Sequence, residues 1–235
     1  MSATGSWEPP ASDGLLPALG LFGGTFAPIH HGHLRLAIEL RERLRLEAVH
    51  LIPSARPPHR GAPQVSAERR LHWLRLAIAG EPGLQADDRE LRREGPSYTI
   101  DTLASVRAEH PRRPLLLLLG DDAANQLHTW HRWSELLDLA HLVFVERPFE
   151  PPAPAPALQA RLRGRRASDG AALLAVPAGR WISLGIPPLA ISSSRVRGLI
   201  KAGRSLRGLV PEAVIHSFTA EDLAHLSHEE DPIQD

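Results

Sequence analysis

Cysteine is absent from the 235 residues, which excludes disulfides, thiolate metal ligands and a cysteine nucleophile and leaves the redox compartment open. Lysine is nearly absent: Lys201 stands alone among 27 Lys and Arg, so a Walker-type phosphate lysine is all but excluded. Any phosphate must therefore be met by Arg, His or backbone N–H groups. Net charge is missing as well, since 27 Lys+Arg balance 27 Asp+Glu, and no global field recruits nucleic acid or an anionic membrane as a partner. No uncharged apolar run approaches the ~20 residues a membrane helix needs, and residues 1–17 hold no apolar core behind a basic segment as a signal peptide would. A cytoplasmic location is the expectation.

What is present is enough apolar material for a core, 43% of the residues, arranged with alternating periodicity. Short apolar runs at 19–23, 49–52, 84–88, 115–119, 142–145 and 181–184 read as strands. Between and after them, helical spacing marks 36–45, 66–79, 99–110, 122–128, 134–139, 192–202 and 211–219. The unbroken leucine run at 115–119 suits a central strand buried on both faces. Strand and helix alternate, so the expected class is α/β: a doubly wound, Rossmann-like parallel sheet with helices on both faces, in a single domain. Residues 1–17 read as a flexible extension and 18–220 as the domain. Within it, 148–172 is a Pro/Ala/Arg-rich surface insertion, and 221–235 is a C-terminal tail.

The first strand runs into Gly23, Gly24, Thr25, Phe26, Ala27, Pro28, Ile29, His30, His31, Gly32 and His33. A doubly wound sheet places its ligand at this point, where small residues let a phosphate approach the backbone and a helix N-terminus favours an anion. The spacing is neither a P-loop nor the Gly-x-Gly-x-x-Gly dinucleotide fingerprint. His30 and His33, three apart, can face one ligand from a helical first turn, donate to phosphoryl oxygens and, if protonated, neutralise developing charge. A zinc site built from His30, His31 and His33, or a merely structural loop, are the competing readings.

A second helix start, Ile191-Ser192-Ser193-Ser194-Arg195-Val196-Arg197, has Ser192 as N-cap and places Ser194 and Arg197 one turn apart, able to face one anion. Taken alone it is a serine cap of ordinary kind. Trp130 offers an aromatic plane, or equally a core or interface ring. Asp122 follows a strand, a position where a carboxylate is often a helix cap.

The run 23–33 resembles the Gly-Gly-Thr-Phe-Asp-Pro-x-His-x-Gly-His signature of the adenylyltransferase branch of the nucleotidyltransferase superfamily, with Ala27 where Asp is usual. Residues 191–197 resemble its second signature, Ile-Ser-Ser/Ala-Thr-x-x-Arg, with Ser194 keeping the hydroxyl of the usual Thr. Further segments are similar to bacterial nicotinate mononucleotide adenylyltransferases. They are Ile52-Pro53 through Pro57-Pro58-His59-Arg60, Pro96-Ser97-Tyr98-Thr99 with Thr102-Leu103, Leu119-Gly120-Asp121-Asp122, Thr129-Trp130 with Trp133, and Val145-Glu146-Arg147-Pro148.

The resemblance implies transfer of AMP from ATP to nicotinate mononucleotide, with pyrophosphate released. It casts His30, His33 and Arg197 as catalytic and spreads ATP contacts over Gly23, Gly24, Thr25, Phe26, His30, Gly32, His33, Gly120, Asp122, Arg147, Ser192, Ser194 and Arg197. Tyr98, Thr99, Trp130, His59 and Arg60 fall to the pyridine nucleotide. Mg2+ would arrive on ATP with no metal residue on the protein, and a homo-oligomer is possible. Nicotinamide mononucleotide or phosphopantetheine as acceptor, and a non-catalytic nucleotide-binding module, are the alternatives.

Overall fold

Strands β1 (Leu19–Gly24), β2 (Ala48–Pro53), β3 (Leu84–Ala86), β4 (Leu115–Leu119), β5 (His141–Glu146) and β6 (Trp181–Gly185) pair in parallel in the order β3-β2-β1-β4-β5-β6. This is the arrangement in a computed structural model, which describes residues 16–57, 64–146, 155–186 and 189–228. Strand order runs outward in opposite senses from β1 and β4, so the crevice between their carboxyl ends is the topological switch point where such sheets bind ligands.

The leucine run behaves as its composition demands. All of β4 is buried, with Leu116 and Leu118 in one core cluster and Leu115, Leu117 and Leu119 in the other, the period of two expected when both sheet faces are covered. One face packs on α1 (His31–Arg43) and α2 (Ala67–Ala77), through Leu40, Trp73 and Leu74. On the other face lie α4 (Thr99–Glu109) and α6 (Leu136–Leu139), through Leu103, Val106 and Leu137. Two short helices, α3 (Arg89–Arg92) and α5 (Asp121–Gln126), sit at strand exits. Ser66 caps α2 as expected, its hydroxyl oxygen accepting from the Arg69 N–H at 3.2 Å.

Two boundaries differ from the sequence expectation. Within the described part of the insertion, α7 (Pro156–Leu162) and α8 (Gly170–Leu174) form instead of a surface loop. Leu158 and Leu162, four apart in α7, bury into the second cluster, and the Trp181 Nε1–H donates to the Leu162 carbonyl at 2.9 Å. Pro/Ala composition concealed a helix whose Pro156 merely occupies its first turn.

The chain also continues past 220. After α9 (Ser193–Lys201) and α10 (Glu212–Ser217), helix α11 (Ala220–His228) takes up residues expected to be tail. Thr219 and Asp222 cap it reciprocally: the Thr219 N–H donates to Asp222 Oδ2 at 2.7 Å and the Asp222 N–H to Thr219 Oγ1 at 3.1 Å. Leu226 is fully buried, and Arg69 of α2 donates to both Asp222 oxygens. Among the described residues no helix is long and apolar enough to cross a membrane.

Candidate active site

Strand β1 ends in Gly23 and Gly24, and the chain turns sharply at Phe26, whose φ is +51° and whose ring is buried. A Cβ on Gly24 would stand 3.0 Å from that ring, so the close turn leaves this glycine no room for a side chain. His30 then occupies the N-cap of α1 without a side-chain capping bond, which leaves its ring for another purpose. The His30 and His33 rings stack at a centroid distance of 3.6 Å and 22° between planes. His33 in turn meets the edge of Phe26 at 5.1 Å and 82°. Between the histidines, a Cβ on Gly32 would lie 3.0 Å from His30 Nδ1 and 3.2 Å from the Ile191 carbonyl, so a side chain here would press on the stack.

The packing of the stack sets the charge of both rings. Burial first, then the neighbouring His31, lowers the His30 imidazole to about 4, and burial followed by His30 pushes His33 well below the ordinary value. Both rings are therefore neutral at pH 7 before a ligand arrives. Among the described residues each Nδ1 is buried without a hydrogen-bond partner. A proton on Nδ1 would be a stranded donor, whereas one on Nε2 could serve a ligand. The zinc reading finds no support in this geometry: among the described residues no three His, Asp or Glu side chains converge to hold a metal ion.

Helix α9 is strapped to the same loop. The Arg197 Nη1–H donates to the Ala27 carbonyl at 2.9 Å and its Nη2–H to Ser194 Oγ at 3.4 Å, so Ser194 and Arg197 share a face as their spacing predicted. The Ser193 hydroxyl donates to the Pro28 carbonyl at 3.2 Å. Ser193 escaped sequence reasoning because its task is a contact distant in the chain. The Ser192 oxygen caps α9 by accepting from the Arg195 N–H at 3.1 Å. Position 27 meets Arg197 through its backbone carbonyl, a contact that Ala27 makes as well as any residue.

Beyond the switch point, Gly120 follows β4 as the N-cap of α5, the helix containing Asp122. Tyr98 caps α4, Thr99 begins it, and the Tyr98 ring packs against His131 at 4.3 Å and 31°. Trp130, immediately before His131, is half-buried against the second core cluster and so serves packing in part. His131 carried no periodic signal. Ser97 was noticed only within a motif, yet its hydroxyl oxygen accepts from the Ala55 and Arg56 N–H groups, each at 3.0 Å. His59, Arg60 and Arg147 lie outside the described residues, as does the Asp122 side chain.

A glycine loop that leads to stacked imidazoles and is bonded to the serine and arginine of a second helix start, on a doubly wound sheet, is the arrangement of a nucleotidyltransferase. The cytidylyltransferase-like family model matches residues 21–199. A probable nicotinate-nucleotide adenylyltransferase of Chromohalobacter salexigens is 48% identical over 207 residues, 87% of this chain and 94% of that protein. One from Pseudomonas aeruginosa is 47% identical over 211 residues, 89% and 98% of the two chains. The Plasmodium falciparum nicotinic acid mononucleotide adenylyltransferase complexed with NaAD shares the fold, with a TM-score of 0.67 at 15% identity, covering 88% of this chain and 98% of that one. The chain belongs to the nicotinate-nucleotide adenylyltransferase family, enzymes of NAD biosynthesis.

Proposed function

We propose that this site transfers AMP from ATP to the phosphate of nicotinate mononucleotide by in-line attack on the α-phosphorus, releasing pyrophosphate. The oxygen–phosphorus bond to the acceptor forms as the bridge to the leaving pyrophosphate breaks. No side-chain nucleophile is needed, because the acceptor phosphate is already an anion and the protein's task is alignment and charge stabilisation. The observation that carries this reading is the neutral His30–His33 stack at the start of α1, bonded through Ala27 and Pro28 to the Ser193–Arg197 turn of α9.

Neutral imidazoles enter as hydrogen-bond donors, and an approaching triphosphate raises their pKa values as charge grows on the transferring group. Arg197 supplies the permanent cation. With Ser194 it grips the β- and γ-phosphates, while Gly23, Gly24, Thr25, Phe26 and Gly32 allow close backbone approach and Gly120, Asp122, Arg147 and Ser192 complete the ATP side. Tyr98, Thr99 and Trp130 take the pyridine ring, with His59 and Arg60 at the mononucleotide phosphate. The site's imidazole and guanidinium groups donate to phosphate and leave other phosphate oxygens for Mg2+, so the ion arrives as part of the nucleotide and supplies charge neutralisation when bound.

Pyrophosphate release with ATP and Mg2+, measured side by side with nicotinate and nicotinamide mononucleotides, tests this. A strong preference for the acid is the expected result. Preference for the amide would move the substrate, and silence with both would overturn the reading.

A further inference from the structure

Arg70 was not singled out by any sequence pattern, yet it is 1% exposed and reaches three separate stretches of backbone. Its Nη1–H donates to the Thr25 carbonyl at 2.7 Å, Nη2–H to Ser54 at 2.7 Å, and Nε–H to Val65 at 3.2 Å. Thr25 belongs to the glycine-histidine loop and Ser54 to the exit of β2. Those two exits also bond directly, Ser54 N–H to Gly24 carbonyl at 2.9 Å. One residue further on, Ala55 and Arg56 donate to Ser97 Oγ, and the Ser97 N–H returns to the Arg56 carbonyl at 2.9 Å. A continuous path of bonds and single peptide steps thus runs from Thr25 through Arg70, Ser54 and Ala55 to Ser97 and Tyr98.

We propose that Arg70 is a positioning residue that sets the ATP-side loop against the acceptor-side segment at 97–99, fixing the distance across which the two phosphates react. The proposal rests on the adenylyl-transfer reading. Removing a cation from water is costly, so a purely packing role would be filled better by an apolar side chain of similar volume. What an apolar residue lacks is the planar fork, whose two Nη groups hold two carbonyls at a fixed separation. Helix α2 gives that fork a rigid base, because the adjacent Arg69 ties the helix to Asp222 of α11.

Each half-site keeps its own contacts when the fork is lost, so the damage falls on kcat and spares both KM values. Arg70→Lys and Arg70→Met are expected to lower kcat by roughly 10²-fold, the scale of a misplacement of about 1 Å. Ser97→Ala should lower kcat in the same direction and combine non-additively with Arg70→Lys. Guanidinium added to Arg70→Ala should restore part of kcat. Leu71→Ala, with a comparable fall in Tm, should keep near-normal kcat per folded molecule. Hydrogen exchange in unliganded Arg70→Lys should quicken at residues 54–56 while α9 stays protected.

Unchanged kcat in both Arg70→Lys and Arg70→Met would overturn the proposal. So would an equal loss of kcat in Leu71→Ala. A wild-type protein that transfers no AMP defeats the functional reading instead, and the exchange comparison then decides by itself whether Arg70 joins the two segments.

Discussion

Replacing Gly32 by alanine separates the geometry of the histidine stack from the stability of the fold. The new Cβ would meet His30 Nδ1 at 3.0 Å, His30 Cε1 at 3.1 Å and the Ile191 carbonyl oxygen at 3.2 Å. One neighbour is backbone, and the other is a ring only 4% exposed. That ring is already stacked on His33 at 3.6 Å. The ring must therefore give by a few tenths of an ångström, which disturbs the stacked pair. Overpacking costs about 1–3 kcal/mol, and alanine in a helix returns up to about 1 kcal/mol. Net stability should thus fall by about 0–3 kcal/mol. Turnover is far more sensitive, because a shift of part of an ångström in an aligned donor costs about 10- to 10²-fold in kcat. Steady-state pyrophosphate release with both substrates saturating, beside a thermal melt, measures the two effects together. Gly198→Ala is the control: a Cβ there meets nothing within 4 Å. It should stabilise α9 by about 0.4–1 kcal/mol without changing turnover. Wild-type kcat in Gly32→Ala, or an equal loss in Gly198→Ala, would refute the reasoning.

Trp130→Ala should raise KM for the pyridine nucleotide more than it lowers kcat, and an unchanged KM would remove the ring from the site. Acidification should destabilise the protein from below about pH 6.5. The folded-state value of His30 is depressed to about 4, so the unfolded chain takes up a proton that the native chain refuses, and stability present above 6.5 is lost as pH falls towards 4. For His30 alone this amounts to about 2 kcal/mol at pH 5. His33 and His141, both depressed chiefly by burial, act in the same direction, and Tm measured between pH 7 and 5 reads the sum. Asp222→Ala should cost about 1–2 kcal/mol by removing the α11 cap and the carboxylate partner of Arg69, which keeps the Ser217 carbonyl, with kcat preserved at a permissive temperature. A silent substitution would show that the Asp222 cap and ion pair contribute nothing to the fold.

Much of the architecture was legible because it depends on local pattern. The all-leucine β4, the Ser66 and Ser192 caps and the alternation of strands with helices are written in neighbouring residues, and so is the helix start that follows Gly23 and Gly24. Helix α7 was obscured by its Pro/Ala composition. Helix α11 did carry a signal, Thr219 followed three residues later by Asp222, which reads as a capping box once its burial against α2 and α9 is seen.

The sequence by itself determined the doubly wound class and marked out the glycine-histidine and serine-arginine helix starts, since periodicity and loop composition act within one turn or strand. Tertiary structure decided what those segments become together. Only folding packs His30 and His33 into a buried stack and so keeps both rings neutral, brings Ala27 and Pro28 to α9, and closes the Arg70 fork on carbonyls 16 and 45 residues away. Protonation state and fork geometry arise from burial and from contacts between distant residues, and neither is a property of local sequence.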